Sequence, residues 1–183
     1  KFKKGVPLTR IMLDAGALIT HKDAEVDVII PDIREYLGTK NSHPAIKLDA
    51  IFLTHGHEDH FGGYIHLARA GYTFPPTYAS KETLEMLKTF LTEAGINLNS
   101  SEWKDKFIPV KSGSIVNFKG VDVEAISMSH STAGSLGFHF LTKIDETDEA
   151  GILHLGDYNL RNVIVSEGFN KKELEDLAER KLI

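Results

Sequence analysis

Ala50-Ile51-Phe52-Leu53-Thr54-His55-Gly56-His57-Glu58-Asp59-His60-Phe61-Gly62-Gly63 sets three histidines and two carboxylates within six positions, directly after an apolar run. The run reads as a buried strand, Leu48 to Leu53, and Thr54 to His60 as a tight polar turn. Unpaired imidazoles and carboxylates are costly to bury, so crowding them behind a core strand serves no packing purpose. Ring nitrogen and carboxylate oxygen are ordinary zinc ligands. His55 and His57, two apart in an extended turn, can share one cation, and Asp59 with His60 can face a second. The spacing differs from the helical H-E-x-x-H pair, whose histidines sit one turn apart. Nine histidines are spread along the chain, and one alone is more often a satisfied polar residue than a ligand. This cluster is different.

Outward from it, the chain repeats the pattern of a strand that ends in chemistry. Arg10 to Gly16 reads as a short buried strand stopped by a turn, with Asp14 expected to accept turn N–H groups rather than bind metal. Val26 to Ile30 is a second apolar run, and Ile33 to Leu37 a short helix ended by Gly38, with a polar loop to Pro44. Tyr64 to Ala70 is helical in composition and stops at Gly71; its positive end would point toward the cluster. His66 on it reads as a surface or packing residue. Thr77 to Ala79 suggests a strand, and Ser80 caps a helix from Lys81 to Ala94 whose Leu84, Leu87 and Leu91 form a core face. Ile108–Val110, Ile115–Phe118 and Val121–Ser127 read as strands separated by Ser112-Gly113 and Lys119-Gly120 turns. Trp103 falls in a polar loop and receives no chemistry. Ser129-His130-Ser131 then ends a strand in a histidine among small hydroxylated residues. Leu136 to Leu141 continues as a strand, followed by an acidic loop from Asp145. Leu155-Gly156-Asp157 again ends a strand, this time at a carboxylate. Asn170 to Glu173 has capping-box spacing before an apolar stripe at Leu174, Leu177 and Ala178.

Three strand ends thus supply His55, His57, Asp59 and His60, then His130, then Asp157. Together they nearly complete a two-cation site. His55, His57 and His130 would take one ion, Asp59 and His60 the other, with Asp157 bridging. Two divalent ions roughly 3.5–4 Å apart activate a water and absorb charge on a carbonyl or phosphoryl centre, so no serine or cysteine nucleophile is needed. Asp59 would also orient the attacking oxygen. Zinc is the expected metal and manganese the alternative, since His/Asp sites accept both.

Composition sets bounds. The 183 residues suit one domain with a good core, and no run of some 18 apolar residues indicates a membrane span. The basic start Lys1 to Gly5 precedes no apolar segment, so it does not read as a signal peptide. The lack of an initiating methionine suggests a chain that begins inside a longer one. Zero cysteines exclude disulfides and thiolate ligands and fit a cytoplasmic protein. A net charge of −5 means that any nucleic acid would have to be met by local basic surface or by the metals.

Thr54-His55-Gly56-His57-Glu58-Asp59-His60, with Leu13-Asp14-Ala15-Gly16 before it and His130 and Leu155-Gly156-Asp157 after it, resembles the metallo-β-lactamase superfamily over almost the whole chain. The resemblance implies an αββα sandwich with metals at the edge where strands of both sheets end. It says little about substrate, because the fold hosts many hydrolases. Val26 to Ile33, Phe61-Gly62-Gly63, Pro76 to Leu84, Ser129-His130-Ser131 with Ser135, and Gly156-Asp157-Tyr158 are similar to the ribonuclease J family of β-CASP nucleases. That likeness implies 5′-to-3′ exonuclease and endonuclease action on RNA, and phosphate contacts from Ser131 and Ser135.

The departures are also plain. The family carries a β-CASP insertion after the Asp157 motif, then a return segment with a further metal-binding histidine; neither is in residues 1–183. His139 and His154 precede Asp157 and read as packed or edge residues. The glycine-rich hairpin expected before Leu13 is absent or degenerate. The chain is therefore expected to be a single metallo-β-lactamase-like domain forming an incomplete lobe, with RNA as substrate and homo-oligomers formed through missing regions. Its activity as an isolated chain is an open point. The alternatives are a thioester or lactone hydrolase on the same fold, favoured by the acidic charge, and a truncated non-catalytic lobe.

Overall fold

The computed structural model describes residues 9–20, 25–37, 45–118, 120–143, 149–160 and 171–178. Gly38, the loop to Pro44, Lys119, the acidic loop from Asp145, Asn170 and both chain ends lie outside these residues. The first elements are strands β1 (Ile11–Leu13), β2 (Leu18–Ile19) and β3 (Val28–Ile29), then helix α1 (Arg34–Leu37) and strand β4 (Ala50–Phe52). Helices α2 (Glu58–Phe61) and α3 (Gly63–Arg69) come next, then β5 (Thr77–Ala79), α4 (Lys81–Glu93) and β6 (Phe107–Pro109). Strands β7 (Ile115–Phe118), β8 (Val121–Ser127), β9 (Leu136–Lys143) and β10 (Glu149–His154) precede helix α5 (Lys171–Ala178).

Two sheets face each other. One is parallel, in the order β1-β4-β5-β6, and the other antiparallel, in the order β10-β9-β8-β7. Strand β4 shows why they stack. Alternate side chains of a strand leave opposite faces. Ala50 and Phe52 point between the sheets, against Tyr78, Val123, Ala125, Leu136 and Phe138. Ile51 and Leu53 point the other way, onto Tyr64, Phe74, Leu84, Leu87 and Leu91 beneath the helices. A strand apolar on both faces must be covered on both. On the far side of the antiparallel sheet, Leu174 and Leu177 of α5 pack on Ile126 and Met128. The layers therefore run helix, sheet, sheet, helix, the expected αββα sandwich.

Local chemistry sets several boundaries. Ser80 accepts the N–H of Thr83 and starts α4, as its sequence predicts. Other segments differ from expectation. The Val26–Ile30 run reduces to β3, which pairs with an unforeseen β2 in a two-stranded ribbon. Its Leu18 and Ile29 stay 61% and 49% exposed, so this apolar run is not core. A short apolar run carries no signal of which face will be covered. Trp103 lies in the polar loop expected, but its ring is buried in the core, 4.9 Å from Phe74 and 5.5 Å from Phe107. Among the described residues, no helix is long and apolar enough to cross a membrane.

Candidate metal centre

Strand direction decides where the chemistry collects. β1 and β4 run parallel, so Asp14 and Thr54 leave the same edge of the first sheet. β8 and β10 are each antiparallel to β9, so they run the same way, and His130 and Asp157 emerge together. Backbone bonds then strap the edges to one another. Leu136 N–H donates to the Thr54 carbonyl at 2.8 Å, joining the sheets, and Asn159 N–H donates to Ser129 at 2.6 Å, joining the Asp157 and His130 loops.

Three ring nitrogens converge. His55 Nε2 lies 3.0 Å from His57 Nδ1, and His130 Nε2 lies 3.1 Å from the same atom. A proton on His57 Nδ1 can serve only one of those neighbours at a time, whereas a cation would satisfy all three lone pairs. Zinc with tetrahedral bonds of about 2.0–2.1 Å spaces its nitrogens roughly 3.3 Å apart, so this trio fits a divalent ion. A second group consists of His55, His60 and Asp157. Asp157 stands between the two groups, one oxygen 3.6 Å from His60 Nε2 and the other 3.9 Å from His130 Nε2. Asp59 sits at the rim, largely exposed, its carboxylate 3.8 Å from His60 Nε2. The predicted set of six is thus brought to one place, with Asp59 its outermost member.

The surroundings tune these rings. Burial, with His60, His130 and His57 close by, pushes the His55 imidazole down to about 3, so it stays a neutral ring with a lone pair to give. His130 is also lowered, mainly by burial. His60 is raised, chiefly because its Nδ1 hydrogen-bonds the Asp14 carboxylate at 2.8 Å. That bond is the main surprise at Asp14, which was expected to serve only turn N–H groups. Its Oδ1 accepts the Thr54 N–H at 2.8 Å, and its Oδ2 accepts the Thr54 hydroxyl at 2.9 Å. Asp14 reaches this position with a left-handed φ of 55°, which aspartate tolerates better than most residues. The Asp-Ala-Gly turn was visible in the sequence; its partner across the sheet was not.

Asp59 and His60 belong to their own one-turn helix, α2, and α3 begins just past them at Gly63. The α2 backbone is locked against the Asp14 turn: Ala15 N–H donates to the His60 carbonyl at 2.7 Å, and Gly63 N–H to Ala15 at 2.7 Å. Of the two serines, Ser131 reaches the cluster, with Oγ 3.4 Å from His57 Nε2. Ser135 does not. It is 3% exposed and donates its hydroxyl to the Thr132 carbonyl at 2.9 Å, which corrects the expectation of a paired phosphate contact. Ser135 instead lines a neighbouring cleft of about 400 Å³ with Lys81, Lys111 and Ser114. His139 is buried in β9 with its Nδ1 4.0 Å from Glu124, and His154 Nδ1 accepts the Gly156 N–H at 3.2 Å. Neither joins the three-residue groupings around the cluster.

The family described as beta-lactamase superfamily domain matches residues 9–163. Ribonuclease J 2 of Staphylococcus saprophyticus is 31% identical over 148 residues, covering 80% of this chain and 24% of that protein. Ribonuclease J 2 of Staphylococcus aureus strain NCTC 8325 is 33% identical over 127 residues, 69% of this chain and 21% of that protein. The chain therefore spans roughly a quarter of the length of these relatives. In fold it is similar to a protein of unknown function from Enterococcus faecalis V583. The TM-score is 0.53 and the identity 18%, over 95% of this chain and 43% of that one.

Proposed function

The chain belongs to the metallo-β-lactamase superfamily, and from that premise we propose that its centre hydrolyses RNA phosphodiesters, exonucleolytically from the 5′ end, endonucleolytically, or both. The observation that carries this reading is the convergence of His55 Nε2, His57 Nδ1 and His130 Nε2, with Asp157 between them and His60. The similarity to ribonuclease J 2 adds the substrate class. We take residues 1–183 as one domain of this type, acting in the cytoplasm.

In this proposal His55, His57 and His130 would hold one divalent ion and His60 with Asp59 another, with Asp157 available to both. Zinc is the first choice and manganese the second. When bound, such ions lower the pKa of a water and stabilise charge on the phosphoryl oxygens. The protein's own part is orientation. Asp59, exposed at the rim, would orient the attacking oxygen as well as bind metal. Ser131, beside His57, donates its hydroxyl to a phosphate oxygen. Lys81 and Lys111 line the adjacent cleft together with Glu82, a small local excess of positive charge on a chain of net charge −5.

The test is cleavage of 5′-monophosphorylated RNA with manganese or zinc, comparing the parent chain with Asp59→Ala. The expected result is a loss of about 100-fold, the scale of a misplaced attacking group. Equal rates would end the nuclease reading. The acidic net charge favours a second substrate class, an uncharged thioester or lactone. Turnover of a thioester that is lost in Asp59→Ala, with no cleavage of RNA, would select it.

A further inference from the structure

We propose that Thr54 is a positioning residue that fixes His55 in the tautomer whose Nε2 carries no hydrogen. A hydroxyl has one proton and can accept twice. Thr54 is 1% exposed, so water does not compete for its partners. Its Oγ1 lies 2.9 Å from Asp14 Oδ2, 2.9 Å from His55 Nδ1 and 3.3 Å from His60 Nδ1. A carboxylate only accepts. The Thr54 proton therefore goes to Asp14, and Oγ1 is left as an acceptor toward His55. His55 must then carry its hydrogen on Nδ1, which leaves Nε2 bare where it meets His57 Nδ1 at 3.0 Å. His60 is set by the same carboxylate. Its Nδ1 donates to Asp14 Oδ2 at 2.8 Å, and its Nε2 faces Asp157 and Asp59. One hydroxyl and one carboxylate thus prepare a ring in each of the two groups.

Thr54 has little freedom to abandon this role. Its own N–H is held by Asp14 and its carbonyl by Leu136. Its methyl side is closed by Gly156, where an added Cβ would stand 2.8 Å from the Thr54 Cβ. Groups that orient metal-bound histidines typically contribute about 10–100-fold in metal affinity. The affinity consequence rests on the proposed metal centre; the tautomer itself does not.

The test compares the parent with Thr54→Val, which removes the hydroxyl, and Thr54→Ser, which keeps it. Long-range ¹H–¹⁵N spectra of the metal-free chains report which ring nitrogen of His55 is protonated. Competition with a chromophoric chelator reports zinc affinity. The parent and Thr54→Ser are expected to show Nδ1–H at His55. In Thr54→Val that pattern should shift toward Nε2–H, with zinc affinity down about 10–100-fold. A parent His55 protonated at Nε2 overturns the proposal, as does Thr54→Val with the parental tautomer. If Thr54→Val does not fold, the parent and Thr54→Ser spectra decide. Nδ1–H at His55 in a parent that binds no zinc supports the role of Thr54 and overturns the metal reading instead.

Discussion

His55 is fully buried among three other imidazoles, and burial lowers its affinity for a proton. Its ring titrates near 6.5 when free and near 3 in the fold. In that window the unfolded chain binds a proton that the folded chain refuses, so stability falls as pH falls. The contribution is fully present above 6.5 and lost on approach to 3. His130, also lowered, acts in the same direction, whereas His60, raised by Asp14, contributes below 6.5 and loses that contribution as pH rises. The metal-free chain should therefore unfold at lower urea at pH 5 than at pH 7.5, and His55→Gln should flatten that difference. An unchanged midpoint in the parent would contradict the burial of a neutral His55. At this scale the sequence revealed the ligand candidates because crowded imidazoles have no packing use. It did not reveal Asp14 and Thr54 as their support, because an aspartate in a turn looks the same whichever partner it finds.

The turn between β4 and α3 is held by backbone against backbone, which makes two small residues indispensable there. A Cβ at Gly16 would stand 1.8 Å from the Asp59 carbonyl oxygen, and one at Gly63 would stand 2.6 Å from that of Ala15. Gly16→Ala is therefore expected to push α2 away from the Asp14 turn and lower both melting temperature and zinc affinity. Gly71→Ala is the control. Its Cβ meets nothing within 4 Å, but its φ of 76° should cost about 1–2 kcal/mol, leaving zinc affinity unchanged. Equal zinc affinity in Gly16→Ala and the parent would show that α2 is not held in this way. The elements legible in advance were those with strong local signals. These include the Ser80 cap, the leucine stripe of α4, and β5, β7 and β8, whose bounds the structure reproduces. The one-turn α2 and the exposed ribbon of β2 and β3 depend on tertiary contacts and solvent, which leave no periodicity to read.

At the scale of the whole molecule, the fold works by aligning strand ends. Two parallel strands of one sheet and two like-directed strands of the other deliver Asp14, the histidine turn, His130 and Asp157 to a single edge. The order of these motifs along the chain was readable, and the layered architecture was implied by the family resemblance they carry. The distances between them were not, since residues 55 and 157 meet only once both sheets have closed on Phe52 and Phe138. The central claim is that this edge is a metal centre. Diffraction at the zinc edge from crystals of the zinc-loaded chain tests it most directly. The expected result is two anomalous peaks roughly 3.5–4 Å apart, one against His55, His57 and His130, the other against His60, Asp59 and Asp157. Zinc peaks that avoid these residues, or none at all, would contradict it.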